Sequence, residues 1–193
     1  MVKANRKGKA AIWTTPAIKL MRRKLISPRQ RLIFEISLWT GERVGAIVQL
    51  RVEDVYQPNG RVREKITFGG TTRKASVHGT AQTRQIYIHE TLRHALLNYD
   101  PPSSGYLFPS AIASTGHITA RAVDDYWRNI LHSHGYYGFS THSSRRWVIN
   151  QLRAAGVEIV TIAEAMAINI ATVRKYLDDD PVACKNAIAT LSV

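Results

Sequence analysis

Apolar residues recur at helical spacing along most of the chain and switch to alternation in one short stretch. Over 13–25 the apolar set is Ile18, Leu20, Met21 and Leu25, with Lys19, Arg22, Arg23 and Lys24 around it, which predicts a basic helix. Ser27-Pro28-Arg29-Gln30 opens a second helix, with Ser27 at the cap, Pro28 at the first helical position and Gln30 in the reciprocal capping-box place. That helix buries Leu32, Ile33, Ile36 and Leu38 and stops at Thr40-Gly41. A third carries Arg43 in its first turn, with Val44, Ile47, Val48 and Leu50 behind it and Val52 and Val55 leading out. After the Pro58-Asn59-Gly60 turn the period falls to two, and Val62, Ile66 and Phe68 share the inward phase of a strand over 61–68. A second strand runs over 84–88. The polar loop between them, 69–83, holds Lys74 and His78, so the pair reads as a hairpin with a long basic tip.

Helical spacing then resumes. Leu92, Leu96 and Leu97 mark a helix over 90–99, broken by Asp100-Pro101-Pro102-Ser103-Ser104-Gly105. Tyr106-Leu107-Phe108-Pro109 is a short buried segment, and Thr119 caps a helix through Tyr126, Trp127, Ile130 and Leu131 that closes near Gly135. Ser140 or Thr141 caps the next, which runs through Val148, Ile149 and Leu152 to a stop at Gly156. A short apolar helix over 157–167 follows, and Asn169 caps a further turn or two that brings up Arg174, Lys175 and Tyr176. Asp178-Asp179-Asp180-Pro181 breaks the chain again. Val182, Ala183, Ala187, Ile188 and Leu191 give a terminal helix over 182–191 an apolar face. The fold class is therefore α+β and mainly α, with one small antiparallel hairpin sheet at an edge.

At 193 residues and 45% hydrophobic content, the chain builds one good core with at most a small extension. Its formal charge of +13 predicts a polyanionic partner, nucleic acid before an anionic membrane surface. Residues 1–12, with Lys3, Arg6, Lys7 and Lys9, read as a flexible basic arm, either touching phosphates or simply solvated, ahead of a single domain over 13–193. A lone Cys184 excludes an internal disulfide and fits a reducing cytosol. No apolar run reaches membrane-spanning length and no signal peptide opens the sequence.

The candidate chemistry centres on Ser140-Thr141-His142-Ser143-Ser144-Arg145-Arg146-Trp147. His142 and Arg145 stand three residues apart and so share a helical face. An imidazole moves protons near neutral pH, and a guanidinium beside it grips two phosphate oxygens as a fork. Arg43, just past a turn glycine, is placed to point at a ligand or into solvent. A metal site on His132, His134 and His142 lacks a cysteine or carboxylate to complete its ligand set.

Four segments, in order, resemble the catalytic domain of tyrosine site-specific recombinases, the phage integrase family. Thr40-Gly41-Glu42-Arg43-Val44-Gly45, followed by Leu50-Arg51-Val52-Glu53-Asp54-Val55, is similar to its first arginine box. The hairpin ending Arg84-Gln85-Ile86-Tyr87-Ile88 resembles its lysine-bearing hairpin. Leu107-Phe108-Pro109, with 140–146, is similar to the His-x-x-Arg box and its run-in, and Arg174-Lys175-Tyr176-Leu177 resembles the nucleophile box. The ordered set, over about residues 27–191, is far more specific than any one box.

The resemblance implies a DNA recombinase for integration, excision, inversion or resolution of a mobile element. Tyr176 would attack the scissile phosphate and form a 3′-phosphotyrosine link. Arg43 and Arg145 would clamp the nonbridging oxygens, and His142 would assist proton transfer. A hairpin lysine would protonate the departing 5′ oxygen, with Lys74 favoured although His78 stands nearer the expected place. The covalent intermediate conserves bond energy, so neither ATP nor a metal cofactor is implied. Double-stranded DNA, a homodimer or tetramer on it, and a cytoplasmic, nucleoid-associated location follow from the same likeness. The terminal helix over 182–191 either docks on a neighbouring protomer, as in many members, or packs on its own domain. The family's separate N-terminal DNA-binding domain has no counterpart before Ser27.

Two positions depart from the family pattern. Ala46 stands where an acidic residue usually follows the first arginine by three, and Met166-Ala167 replaces a Gly-His pair nine residues before the tyrosine. Losing one phosphate donor costs on the order of 3 kcal/mol of transition-state stabilisation. These departures motivate an alternative, a degenerate relative that binds DNA and regulates without cutting it. A type IB topoisomerase would share the chemistry but relax supercoils without joining two sites.

Overall fold

The computed structural model describes residues 9–70, 83–177 and 189. Eight helices and one two-stranded antiparallel sheet are present among them. The first helix, α1 (Thr15–Lys24), is capped by Thr14, whose Oγ1 accepts from the Ala17 N–H at 3.4 Å. Trp13 therefore precedes the helix rather than opening it, and is buried edge-on to Phe34 at 5.3 Å and beside Phe139 at 4.8 Å.

Helix α2 (Pro28–Thr40) starts and stops where the sequence predicts, but the capping box does not form. Ser27 makes no side-chain cap, and Gln30 is drawn into the interior instead of folding back. Burial on most sides holds this helix in place. Leu32, Ile33, Phe34, Ile36 and Leu38 are all buried, and so is Glu35, which accepts two bonds from Arg22 at 2.7 and 2.9 Å. That bond raises the Arg22 guanidinium above its ordinary pKa. Helix α3 (Val44–Ile47) and a 3-10 turn (Val52–Asp54) follow.

The hairpin is shorter than the alternation suggests. Its strands are β1 (Lys65–Phe68) and β2 (Arg84–Tyr87), in a register that pairs Ile66 with Ile86 and Phe68 with Arg84. Val62, Ile66 and Phe68 are buried as their phase predicts. The remaining helices are α4 (Glu90–Leu97), α5 (Ala120–His132), α6 (Ser143–Ala154), α7 (Ile159–Met166) and α8 (Ile170–Tyr176).

Two cores result. The larger gathers α1 to α5 and the hairpin, with Phe34 edge-on to Trp127 at 5.5 Å. The smaller is Ile149, Ile162, Ala163, Met166 and Val173, between α6, α7 and α8. Helix α6 serves both, since Trp147 packs on the larger core and Ile149 belongs to the smaller. The arm read over 1–12 is already docked at its inner end: the Ala11 N–H donates to the Gly138 carbonyl at 2.9 Å, and Ala10 is buried. Residues 1–8, Lys74, His78 and the terminal helix over 182–191 lie outside the described residues. No helix among the described residues is long and apolar enough to cross a membrane.

Candidate active site

The site begins at the end of α2. Gly41 takes a left-handed conformation, φ +61°, and its N–H donates to the Ser37 carbonyl. A side chain there would also meet Met166 Cε at 2.8 Å and Val148 Cβ at 3.2 Å, so both conformation and space demand glycine. Thr40 Oγ1 then accepts the Glu42 N–H at 3.1 Å and turns the chain inward. Arg43 caps α3 through its backbone, its carbonyl accepting from Ala46 and Ile47 at 2.9 and 3.1 Å. This fixes its Cα firmly. Its half-buried guanidinium has no ion pair or hydrogen bond among the described residues and is available to an anion.

Glu42 is the hub. The residue is 1% exposed and sits between two buried guanidinium groups. Its Oε1 accepts from Arg145 Nη2 at 2.7 Å and from the Arg43 N–H at 2.8 Å, and its Oε2 accepts from Arg84 Nη1 at 2.9 Å. Arg145, itself 1% exposed, also donates Nε to the Gly41 carbonyl at 2.9 Å. Arg84 reaches further. Its Nη2 donates to the Thr40 carbonyl at 3.1 Å and its Nε to the Ala165 carbonyl at 2.9 Å, so one guanidinium caps the C-terminal ends of α2 and α7. One carboxylate thus joins two buried guanidinium groups beside Arg43, donors of the kind that suit a phosphate.

His142 and Arg145, which their spacing puts on one helical face, differ in exposure. His142 occupies the cap position of α6, is exposed, and makes no side-chain cap, whereas Arg145 is turned inside. The turn before α6 is held by Ser140 and Ser143 instead: the Ser140 N–H donates to Ser143 Oγ at 3.0 Å, and the His142 N–H to Ser140 Oγ at 3.3 Å.

Tyr176 is the last residue of α8 and is half-buried. Asn169 caps that helix as predicted, its Oδ1 accepting the Thr172 N–H at 2.7 Å. At the other end the Tyr176 carbonyl accepts from Asn150 Nδ2 at 3.0 Å and Arg146 Nε at 3.3 Å, both on α6. The structure thus ties Arg43 to Arg145 through Glu42, and α8 to the helix that carries Arg145. Lys74 and His78 are not placed.

Glu42, Arg84, Arg146 and Asn150 were not singled out by the sequence. Arg84 carried a signal: it shares the inward phase of Ile86 and Ile88, where a charge needs a buried partner. Ala46 is a buried methyl. The buried carboxylate at this site is Glu42, one residue before Arg43. Ala167 ends α7 with φ +46°, a left-handed position that glycine fills more readily.

Residues 16–182 match the model of the phage integrase family. The backbone is similar to that of the integrase from mycobacterium phage Brujita, with TM-score 0.62 and 20% identity over 89% of this chain and 54% of that one. XerA recombinase gives TM-score 0.69 and 17% identity, covering 97% of this chain and 66% of that one. The Tn1549 transposon integrase, in complex with transposon right end DNA, gives 0.69 and 13%, covering 97% and 67%. The chain therefore spans 54% to 67% of the length of these structures. At such identities the likeness shows a shared fold, the mainly helical catalytic domain with its small antiparallel sheet. No curated protein matches the sequence.

Proposed function

We propose, from the premise that the chain belongs to the phage integrase family, that it is a site-specific recombinase of double-stranded DNA working through a 3′-phosphotyrosine intermediate. The observation that carries this reading is the single Glu42 oxygen that accepts from both Arg145 and the Arg43 backbone. It brings together two arginine boxes a hundred residues apart.

In this reading the Tyr176 hydroxyl oxygen attacks phosphorus, the bond to the 5′ oxygen breaks, and the new phosphodiester keeps the energy for rejoining. A phenol of pKa about 10 is a poor nucleophile at neutral pH, so the charge it develops must be offset. Arg43 and Arg145 provide that offset by donating to the nonbridging oxygens in the transition state. His142, exposed at the start of α6, takes part in moving the phenolic proton. The hairpin residue, Lys74 or His78, gives a proton to the leaving 5′ oxygen. Glu42 supports the reading because it gives Arg145 a buried carboxylate partner beside Arg43. DNA is the partner, on which the protein works as a dimer or tetramer at the nucleoid. The XerH site-specific recombinase, similar in backbone at TM-score 0.66, is bound to its difH substrate in a pre-cleavage complex.

One observation favours the regulator instead: the place of the usual imidazole donor holds the Ala167 methyl, in a strained left-handed turn. Covalent trapping decides. The wild-type chain, incubated with nicked duplexes from around its own gene and denatured in detergent, is expected to give a slow-migrating adduct that Tyr176→Phe abolishes. Salt-sensitive binding to the same duplexes without any adduct would leave the regulator standing.

A further inference from the structure

We infer that Arg146 is a positioning residue for the nucleophile, acting on Tyr176 through a clasp closed by the N-terminal segment; the catalytic part of this inference rests on the recombinase reading. Helix α8 has seven residues, too few to be stable alone. Its place must come from its surroundings, and its N-terminal cap fixes only one end. The last carbonyls of a helix have no partner within it. Here those carbonyls are claimed from two directions.

From α6, Asn150 Nδ2 and Arg146 Nε both donate to the Tyr176 carbonyl, at 3.0 and 3.3 Å. From the N-terminal segment, Lys9 Nζ donates to the Leu177 carbonyl at 2.8 Å. Arg146 joins the two, because its Nη1 also donates to the Ala10 carbonyl. The segment is itself pinned by the bond from Ala11 to Gly138 at 2.9 Å and by the Trp13 indole, whose Nε1 donates to Ser144 Oγ at 3.0 Å on α6. The guanidinium fork makes this possible: its nitrogens serve two carbonyls in different directions, which a lysine ammonium on a single flexible stem reproduces poorly. Both cations also lie at the C-terminal end of α8, where the helix dipole favours positive charge.

The arrangement has a direct consequence. The backbone carbonyl held by the clasp belongs to Tyr176 itself, so a shift of Arg146 or of residues 9–11 moves the phenol relative to Arg145 one residue away on α6. Misplacing a nucleophile by about an ångström can cost up to a hundredfold in rate. Whatever pulls on the chain before Lys9 is thereby coupled mechanically to the nucleophile helix.

Hydrogen exchange on the whole, DNA-free chain tests the clasp without relying on any chemistry. Arg146→Lys keeps the charge and loses the fork, while Asn150→Ala removes the second donor and leaves the charge unaltered. In both, the amides of Ile170–Tyr176 should exchange about tenfold faster while those of α2 keep wild-type protection. Unchanged exchange in α8, or an equal loss in α2, overturns the clasp. At saturating nicked duplex, Arg146→Lys should form the covalent adduct about tenfold more slowly, with duplex affinity within about twofold of wild type. Adduct formation at the wild-type rate, or a loss that tracks affinity alone, overturns the positioning role. A wild-type chain that gives no Tyr176-dependent adduct defeats the recombinase reading, and the exchange measurement still decides the clasp.

Discussion

Arg145 is 1% exposed and its guanidinium is fixed by a carboxylate and a carbonyl, whereas Tyr176 is half-buried and fixed through its backbone. The first belongs to a network joining α2, the hairpin, α6 and α7 beside the larger core. The second ends a seven-residue helix on a core of five buried side chains. Under the proposed function the contrast suits what each group would do. Stabilising charge on a phosphate depends on donors that are already oriented, and burial supplies that orientation at the cost of desolvation. A nucleophile would have to advance on its target and be released from it, which a short helix clasped at its last carbonyls permits better than a fully buried one.

If the arginine end is the rigid one, the largest effect should come from its hub. Glu42→Leu leaves two buried guanidinium groups without their carboxylate and should cost about 3–5 kcal/mol, read as a lowered urea midpoint with unchanged slope. Adding Arg84→Met to Glu42→Leu should recover part of that loss, since it removes one of the two bare charges. A Glu42→Leu chain as stable as wild type would erase the distinction between the two ends.

A smaller effect tests the seam between the cores. Gly41→Ala forces a left-handed alanine against Met166 Cε at 2.8 Å. Because the end of a methionine side chain can move aside, the loss should be about 2 kcal/mol rather than more, again by denaturation. The smallest effect has the opposite sign and lies at the tyrosine end. Ala167→Gly relieves φ +46° and should raise stability by roughly 0.5–1 kcal/mol, a rise of a few degrees in melting temperature. No gain there would mean that the turn is held by its neighbours rather than strained.

The elements were legible because their signals are local. Periodicity located α2, α5, α6 and the hairpin, and the Asn169 and Thr119 caps formed as their chemistry predicts. The Ser27 box did not form because Gln30 is turned into the interior by the packing of α2, away from the cap. Arg43, Arg145, His142 and Tyr176 were named as candidates through the ordered boxes. Their connection was not, because the Glu42 hub depends on contacts 42 and 103 residues away in sequence. A glutamate next to an arginine reads as a surface pair until a second and third arginine arrive from other elements. The spacing of His142 and Arg145 carried no information on burial: the His142 backbone is helical and its carbonyl accepts the Arg146 N–H at 3.1 Å, yet its side chain is exposed while Arg145 is turned inside.

The Arg84–Glu42–Arg145 arrangement also bears on how such a sequence can drift. Its three codons are linked by charge balance rather than by shape. Replacing Arg84 first leaves Glu42 still paired with Arg145, which a descendant can tolerate. Replacing Glu42 first strands two cations in the interior, and few descendants should survive that step. Substitution therefore has a preferred order, and lineages that lack Arg84 while keeping Glu42 should be commoner than the reverse.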